Sequence, residues 1–425
     1  MTDTIIKIVG ALIFFALILL SVTLHELGHF IPGKLFKVKV LQFFLGFGKN
    51  LWKTKRGETE YGVKMIPLGG YVLMQGMYPP KREGKNTWLK RVADSAREAE
   101  WENITQADVA SGRLFFQKPL WQRMIIMFSG VFTNLLLAFV LFLGVNMTFG
   151  MNKPIENSME IEYVQQCQQP APEPCVPTPA SAMGLQAGDV LVEFNGQPYA
   201  SWDLMTQAIR ANGDAPVRLV VNRDGKRTEL HEVPGMVGPT VDPADPTQTI
   251  EAGKLGVIRA DSKFERAGPI ETLKQMWFYT TESVKAIGKL PVTAVKVLSD
   301  MITGKPRDIN SPISILGASV IAGEVASAEA PAGARVAFYV QLLASVNLFV
   351  GLINLVPLPP FDGGQVAAGV YESIRRRIMK LRGKADPGPA DTARLLPVTY
   401  VVGGMLVLIG VILILADIIS PVALF

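Results

Sequence analysis

The sequence predicts a multi-pass α-helical membrane protein. It has four transmembrane helices, a membrane-associated β-sheet between the first two, and a small extracytoplasmic α+β domain. Three observations lead there. Four long stretches are almost free of charge, and each is long enough to cross most of a bilayer. Hydrophobic residues make up 49% of the 425 residues and charged residues only 19%, which suits a membrane protein with a substantial soluble part. Lysines and arginines gather beside the apolar stretches, where they set topology, so the net charge of +5 does not point to nucleic acid.

The first span runs from about Ile5 to Leu24 and continues as helix through His29. It ends in His25-Glu26-Leu27-Gly28-His29, which uses two of the three histidines in the chain. Residues four apart on a helix share a face, about 6 Å apart along the axis. Two imidazoles so placed can hold one metal ion, with Glu26 beside it to act on a water molecule. Ionisable groups at the edge of an apolar span are costly and mark a functional site. No cleavable signal peptide is predicted, because the span lacks a small-residue cleavage site and its removal would discard the metal motif.

The second span covers about Met124 to Thr148, the third Val336 to Val356, and the fourth Val398 to Ile419, where Asp417 is the only charge. Basic clusters follow the first span (Lys34 to Arg56) and the third (Arg375 to Lys384). The positive-inside rule makes both clusters cytoplasmic, with both chain ends and residues 150 to 335 outside. The metal motif then lies towards the cytoplasmic side of the first span.

Residues 37 to 78 read as strands. Tyr61 to Met74 alternates in part and carries Gly69-Gly70, a pair that admits close approach of another backbone. A surface hairpin is one reading; a sheet edge that pairs with an extended peptide is the other. Residues 83 to 118 mix tryptophans with many charges and predict helices at the inner membrane surface. Residues 263 to 335 carry amphipathic patterns that would suit the outer surface.

In the outer region, Gly184-Leu185-Gln186-Ala187-Gly188-Asp189-Val190-Leu191 leads into an Asn195-Gly196 turn. A short helix about Trp202 to Ile209 and the strand Pro216 to Val221 follow. This order resembles a PDZ domain of the kind attached to bacterial proteases, and the likeness implies an α+β module over about residues 160 to 260. Such a module either binds an extended tail by strand addition or serves only as a lid or spacer. Cys167 and Cys175 lie in a Pro/Gln-rich loop just before the core of this module, and an oxidising outer face predicts a disulfide between them.

A catalytic zinc usually takes three protein ligands and leaves one position open. No third histidine lies near the spans, so the remaining ligand should be a carboxylate or a carbonyl. Asp362 of Asn354-Leu355-Val356-Pro357-Leu358-Pro359-Pro360-Phe361-Asp362-Gly363-Gly364 stands on the same membrane face as the histidine pair. Asp-Gly alone is a common turn dipeptide; the pairing with the histidine motif favours a ligand.

Together the His25–His29 motif, Pro67-Leu68-Gly69-Gly70-Tyr71, the PDZ-like run and the Asn354–Gly364 motif resemble the site-2 protease family over nearly the whole chain. The likeness is to the bacterial type that cleaves membrane-spanning anti-sigma factors, in a form with a single PDZ domain similar to the actinobacterial branch. It implies His25, His29 and Asp362 as Zn2+ ligands and Glu26 as general base. It also implies substrate contacts at Asn354 and Pro357, and a second-span motif at Gly130 to Asn134 near the site, with Asn134 and the Gly69-Gly70 edge touching substrate. Two positions depart from the pattern: Val131 stands where many relatives have Pro, and Gln365 where many have His.

The expected reaction is zinc-dependent hydrolysis of a peptide bond within the transmembrane segment of a single-span protein, after an earlier cleavage. The expected partners are such proteins, anti-sigma factors among them, and membrane lipid, with no nucleic acid. The expected location is the bacterial inner (plasma) membrane. A membrane scaffold or peptide receptor that works through its PDZ domain is the alternative, and the presence of Glu26 argues against it. A metal transporter would need ionisable residues spread along several spans, which these spans lack.

Overall fold

A computed structural model describes residues 2–80, 88–155, 157–168, 175–241, 249–305, 307–308, 311–328 and 330–421. They form two compact units, Gly150–Arg266 and the remainder, Met1–Phe149 with Ala267–Phe425. The boundaries at 82 and 83 expected from the sequence lie outside the described residues.

The larger unit begins with helix α1 (Thr2–Leu35), whose uniform apolarity leaves it amphipathic in neither direction. Strands β1 (Val40–Arg56) and β2 (Thr59–Met74) follow as one antiparallel pair. Both bend, and the register uses each twice. Gln42 to Leu45 pair with Leu73 to Gly70 on one side and with Glu60 to Val63 on the other, while Asn50 to Arg56 pair back on Lys64 to Thr59. Four short segments thus lie side by side, with residues 70–73 at one edge and 50–56 at the other. Gly46 and Gly48, both at positive φ, allow the first bend where a side chain would strain.

Short helices α2 (Trp88–Trp101) and α3 (Gln106–Ala110) come next, the latter with a Thr105/Asp108 capping box. Helix α4 (Leu120–Thr148) then packs on α1. A methyl group on Gly28 would lie 2.9 Å from the Gly130 Cα, so this glycine pair sets how closely the two helices cross.

The smaller unit holds strands β3 (Met151–Pro154) and β4 (Ile161–Val164), helix α5 (Pro179–Ala182), β5 (Val190–Phe194), β6 (Gln197–Pro198) and α6 (Trp202–Asn212). They are followed by β7 (Leu219–Arg223), β8 (Lys226–Glu229), β9 (Met236–Val241), β10 (Thr249–Lys254), β11 (Val257–Arg259) and β12 (Ser262–Glu265). A four-stranded sheet runs β6-β5-β7-β8, and three further pairs join β10 to β9, β11 to β4 and β12 to β3. Its core gathers Ile161, Leu191, Phe194, Met205, Leu219 and Val221. Beside it Arg223 grips buried Asp189 through both carboxylate oxygens at 2.7 and 2.6 Å. Cys167 and Cys175 are disulfide-bonded.

The larger unit resumes with α7 (Pro269–Thr303), α8 (Ile315–Ser327), α9 (Ala332–Asn354), α10 (Asp362–Leu381) and α11 (Leu396–Ile419). Among the described residues four helices are long and apolar enough to cross a membrane: Asp3–Leu35, Leu120–Thr148, Ala332–Asn354 and Thr392–Ile419. Helix α8 departs from the surface amphipathic helix expected between 263 and 335. Gly317, Ala318, Ala322 and Gly323 are buried, and a methyl on Gly323 would meet Ala11 Cβ of α1 at 3.2 Å. Small side chains let α8 sink against α1 in the bundle.

Candidate metal centre

Helix α1 carries His25 and His29 one turn apart, both buried, in its C-terminal third. Asp362, the first residue of α10, meets them where the prolines after Val356 stop α9 and redirect the chain. The three atoms that could bind a metal ion form a nearly equilateral triangle. His29 Nε2 is 3.3 Å from His25 Nε2, and Asp362 Oδ2 is 3.2 Å from each imidazole. Tetrahedral zinc with bonds of about 2.0–2.2 Å spaces its ligands about 3.3 Å apart. The residues fit the ion.

The proton arrangement fits as well. His29 Nδ1 lies 2.8 Å from the Ile126 carbonyl, which can only accept, so Nδ1 carries the hydrogen and Nε2 is left free as a ligand. A methyl on Gly130 would collide with the His29 ring, so α4 both braces that imidazole and orients it. Asp362 lies outside the four long apolar helices. Its Oδ2 lies 3.2 Å from both imidazole Nε2 atoms, so a carboxylate there adds an anionic donor to two neutral ones.

Beside the triad opens a cavity of about 460 Å³, walled by Glu26, Gly69, Gly70, Asn354, Gln365 and the three ligands. Glu26 is half-buried on α1. Gly70 lies so close that an added methyl would sit 2.8 Å from Glu26 Cγ, which brings the 70–73 edge against the carboxylate. That edge pairs with no further strand among the described residues. Arranged so, the site can hold a cation, place a carboxylate at its open side and accept an extended chain alongside.

Not every residue expected here converges. Asn134 is buried on α4 with its Oδ1 unpartnered among the described residues and packs by Gly351 of α9, away from the cavity wall. Pro357 lines a separate hollow with Leu358, Pro359 and Tyr371. Other residues were not foreseen as part of the site: Tyr71, Met127 and Gln365 in the wall, and the Ile126 carbonyl behind His29. Gln365 stands three positions after Asp362, the helical spacing that turns a side chain to the same face.

Residues 13–385 match the model of peptidase family M50. The zinc metalloprotease Rip1 of Mycobacterium bovis is 33% identical across 98% of this chain and 99% of its own length. Rip1 of Mycolicibacterium smegmatis is 31% identical over the same shares. The metalloprotease MmpA of Caulobacter vibrioides is 28% identical over 88% of this chain and 89% of its own.

Proposed function

The chain belongs to peptidase family M50, and on that premise we propose that it is a zinc-dependent endopeptidase acting inside the membrane. Its substrates are single-span proteins, anti-sigma factors among them, already trimmed by an earlier protease. The observation that carries this reading is the cavity in which three ligands of zinc spacing, a free carboxylate and a sheet edge meet.

His25, His29 and Asp362 would hold the ion, which when bound supplies Lewis acidity at the scissile carbonyl. Glu26 accepts a proton from the attacking water at its carboxylate oxygen and returns it to the leaving amine nitrogen. A substrate helix hides its carbonyls in its own hydrogen bonds and must unwind locally before attack. The 70–73 edge offers the unwound stretch replacement backbone partners, and Asn354 in the cavity wall offers an amide. Gly69 and Gly70 keep that edge bare enough for a second backbone to approach.

Topology follows from charge: the basic clusters are cytoplasmic, and the chain sits in the plasma membrane of a bacterium with its smaller unit outside. The disulfide accords with that oxidising side. We read the smaller unit as a PDZ domain, supported by the Gly184–Asp189 run and the β11–β4 ladder, and assign it the exclusion of untrimmed substrates. Removal of about residues 160 to 260 should therefore admit untrimmed single-span proteins.

Co-expression of the full chain with a trimmed single-span substrate tests the central reading. Wild type should convert the substrate to shorter products, and Glu26→Gln should leave it intact. Persistence of the trimmed substrate with a folded, zinc-loaded wild type would defeat it.

A further inference from the structure

The helix that begins with Asp362 shows two different faces. On one side Gly369 backs onto Met124 of α4, and Glu372, fully buried, takes Arg123 at 2.6 Å, Arg376 at 3.0 Å and the Ala390 amide at 2.8 Å. On the opposite side Val370, Tyr371, Ile374, Ile378 and Leu381 are exposed. At 100° per residue these five fall within about 100° of arc. Arg377 and Lys380 border that arc on one side, Arg382 on the other, and Lys384 follows the helix end. All four are exposed, and none has a carboxylate partner among the described residues. Their neighbours Arg375 and Arg376 are occupied, by the 387–389 carbonyls and by Glu372 with Asp386.

We propose that the C-terminal half of α10 docks on anionic phospholipid headgroups, with its apolar stripe among the acyl chains and Arg377, Lys380, Arg382 and Lys384 on the phosphates. The helix macrodipole favours cations only in the last turn. A topology signal needs positive charge but no apolar stripe between the charges. An interfacial helix needs both, in this angular order. Because the same rigid helix starts with a residue of the metal triad, its depth and tilt at the lipid surface bear on where Asp362 stands. The proposal rests on the membrane-spanning reading above.

Full-length protein in nanodiscs, labelled by photoactivatable phosphatidylglycerol or photoactivatable phosphatidylcholine, tests it. Each cation near an anionic surface is worth about fivefold, so adducts on residues 370–384 should favour the anionic lipid by at least about tenfold and lose that preference at high salt. Replacing Arg377, Lys380, Arg382 and Lys384 together with Gln should remove the preference. A second variant, Ile374→Glu with Ile378→Glu, keeps every cation and so the topology signal, and should lose the adducts as well. Equal labelling by the two lipids, or a preference that survives the four Gln substitutions, overturns the proposal. Zinc content on the same samples separates the two readings: zinc-loaded protein without lipid preference refutes the docking alone, and preference without zinc refutes the peptidase alone.

Discussion

Asp417 on apolar α11 and Asp362 at the head of α10 are both carboxylates, and their surroundings differ in kind. Asp417, near the end of α11, bonds Arg307 at 2.5 Å through one oxygen and the Ser314 amide at 2.8 Å through the other. Arg307 also donates to Ser311 Oγ and the Pro312 carbonyl. Both side chains are 3% exposed, and the cavity beside Asp417 measures about 10 Å³. Asp362 faces two imidazole nitrogens and an opening of about 460 Å³. An ionisable group in an apolar helix is therefore no site by itself. Asp417 is closed and fully satisfied, with charge and hydrogen bonds spent on fastening the α7–α8 loop to α11. Asp362 converges with two imidazoles, a set that could hold a metal ion, on the wall of an open cavity.

The comparison is broken most sharply at the triad. Glu26→Gln should keep zinc and lose hydrolysis by roughly 10²–10⁴-fold, the usual worth of general acid–base help. His25→Ala, His29→Ala and Asp362→Asn should lose both metal and turnover, since each removes one of three ligands. Elemental analysis beside a cleavage assay reads all four variants. Undiminished zinc and activity in Asp362→Asn would remove its assigned role.

At the other carboxylate the expected loss is stability. Asp417→Ala leaves Arg307 buried and unpaired, which costs about 3–5 kcal/mol. The remaining folded fraction should keep its zinc stoichiometry. Replacing both partners with apolar residues of similar size, Arg307→Met with Asp417→Leu, should recover most of the loss. Thermal unfolding in detergent measures this, and a drop in zinc content without loss of stability would contradict the division of labour.

A partly exposed carboxylate with two cationic partners gives the smallest effect. Glu58 bonds Arg113 at 2.6 Å and Lys34 at 2.8 Å at partly exposed positions. Burial pushes its carboxyl up, but Arg113 and Lys34 pull it further down, to below the ordinary 4.5. The folded value thus lies under the unfolded one. Any stabilisation is fully present above that ordinary value and lost as pH falls through the folded one. Glu58→Gln should cost less than about 1 kcal/mol at neutral pH and nothing in acid, as paired pH-dependent melts would show.

The triad was legible because its signals are local: two histidines one helical turn apart, and an Asp-Gly-Gly run after a proline-broken span. The four long apolar helices were legible because apolar length needs no tertiary context. What binds the parts was not. Ile126 acts through its carbonyl, which every residue owns, so nothing in the sequence singles it out. Asp417 stood out as a lone charge, but its partner lies in a loop 110 positions earlier. Helix α8 was misplaced because its small residues look indifferent to solvent until α1 packs on them. The sheet was foreseen as strands, whereas the double use of β1 and β2 depends on bends at Gly46 and Gly48 that hydrophobic alternation cannot display. Asn134 and Pro357 came from family likeness, and here they lie off the cavity wall.

The close approach of Gly70 to Glu26 has a consequence for how a cut would be located. A guest strand laid along residues 70–73 advances about 3.3 Å per residue and turns alternate side chains to opposite faces. Sliding it by one residue would reverse which faces meet the wall, whereas sliding by two restores them. With Glu26 as the proposed base lying against that edge, the distance between competing cleavage points should come in even counts of residues, whatever the length of the substrate's span.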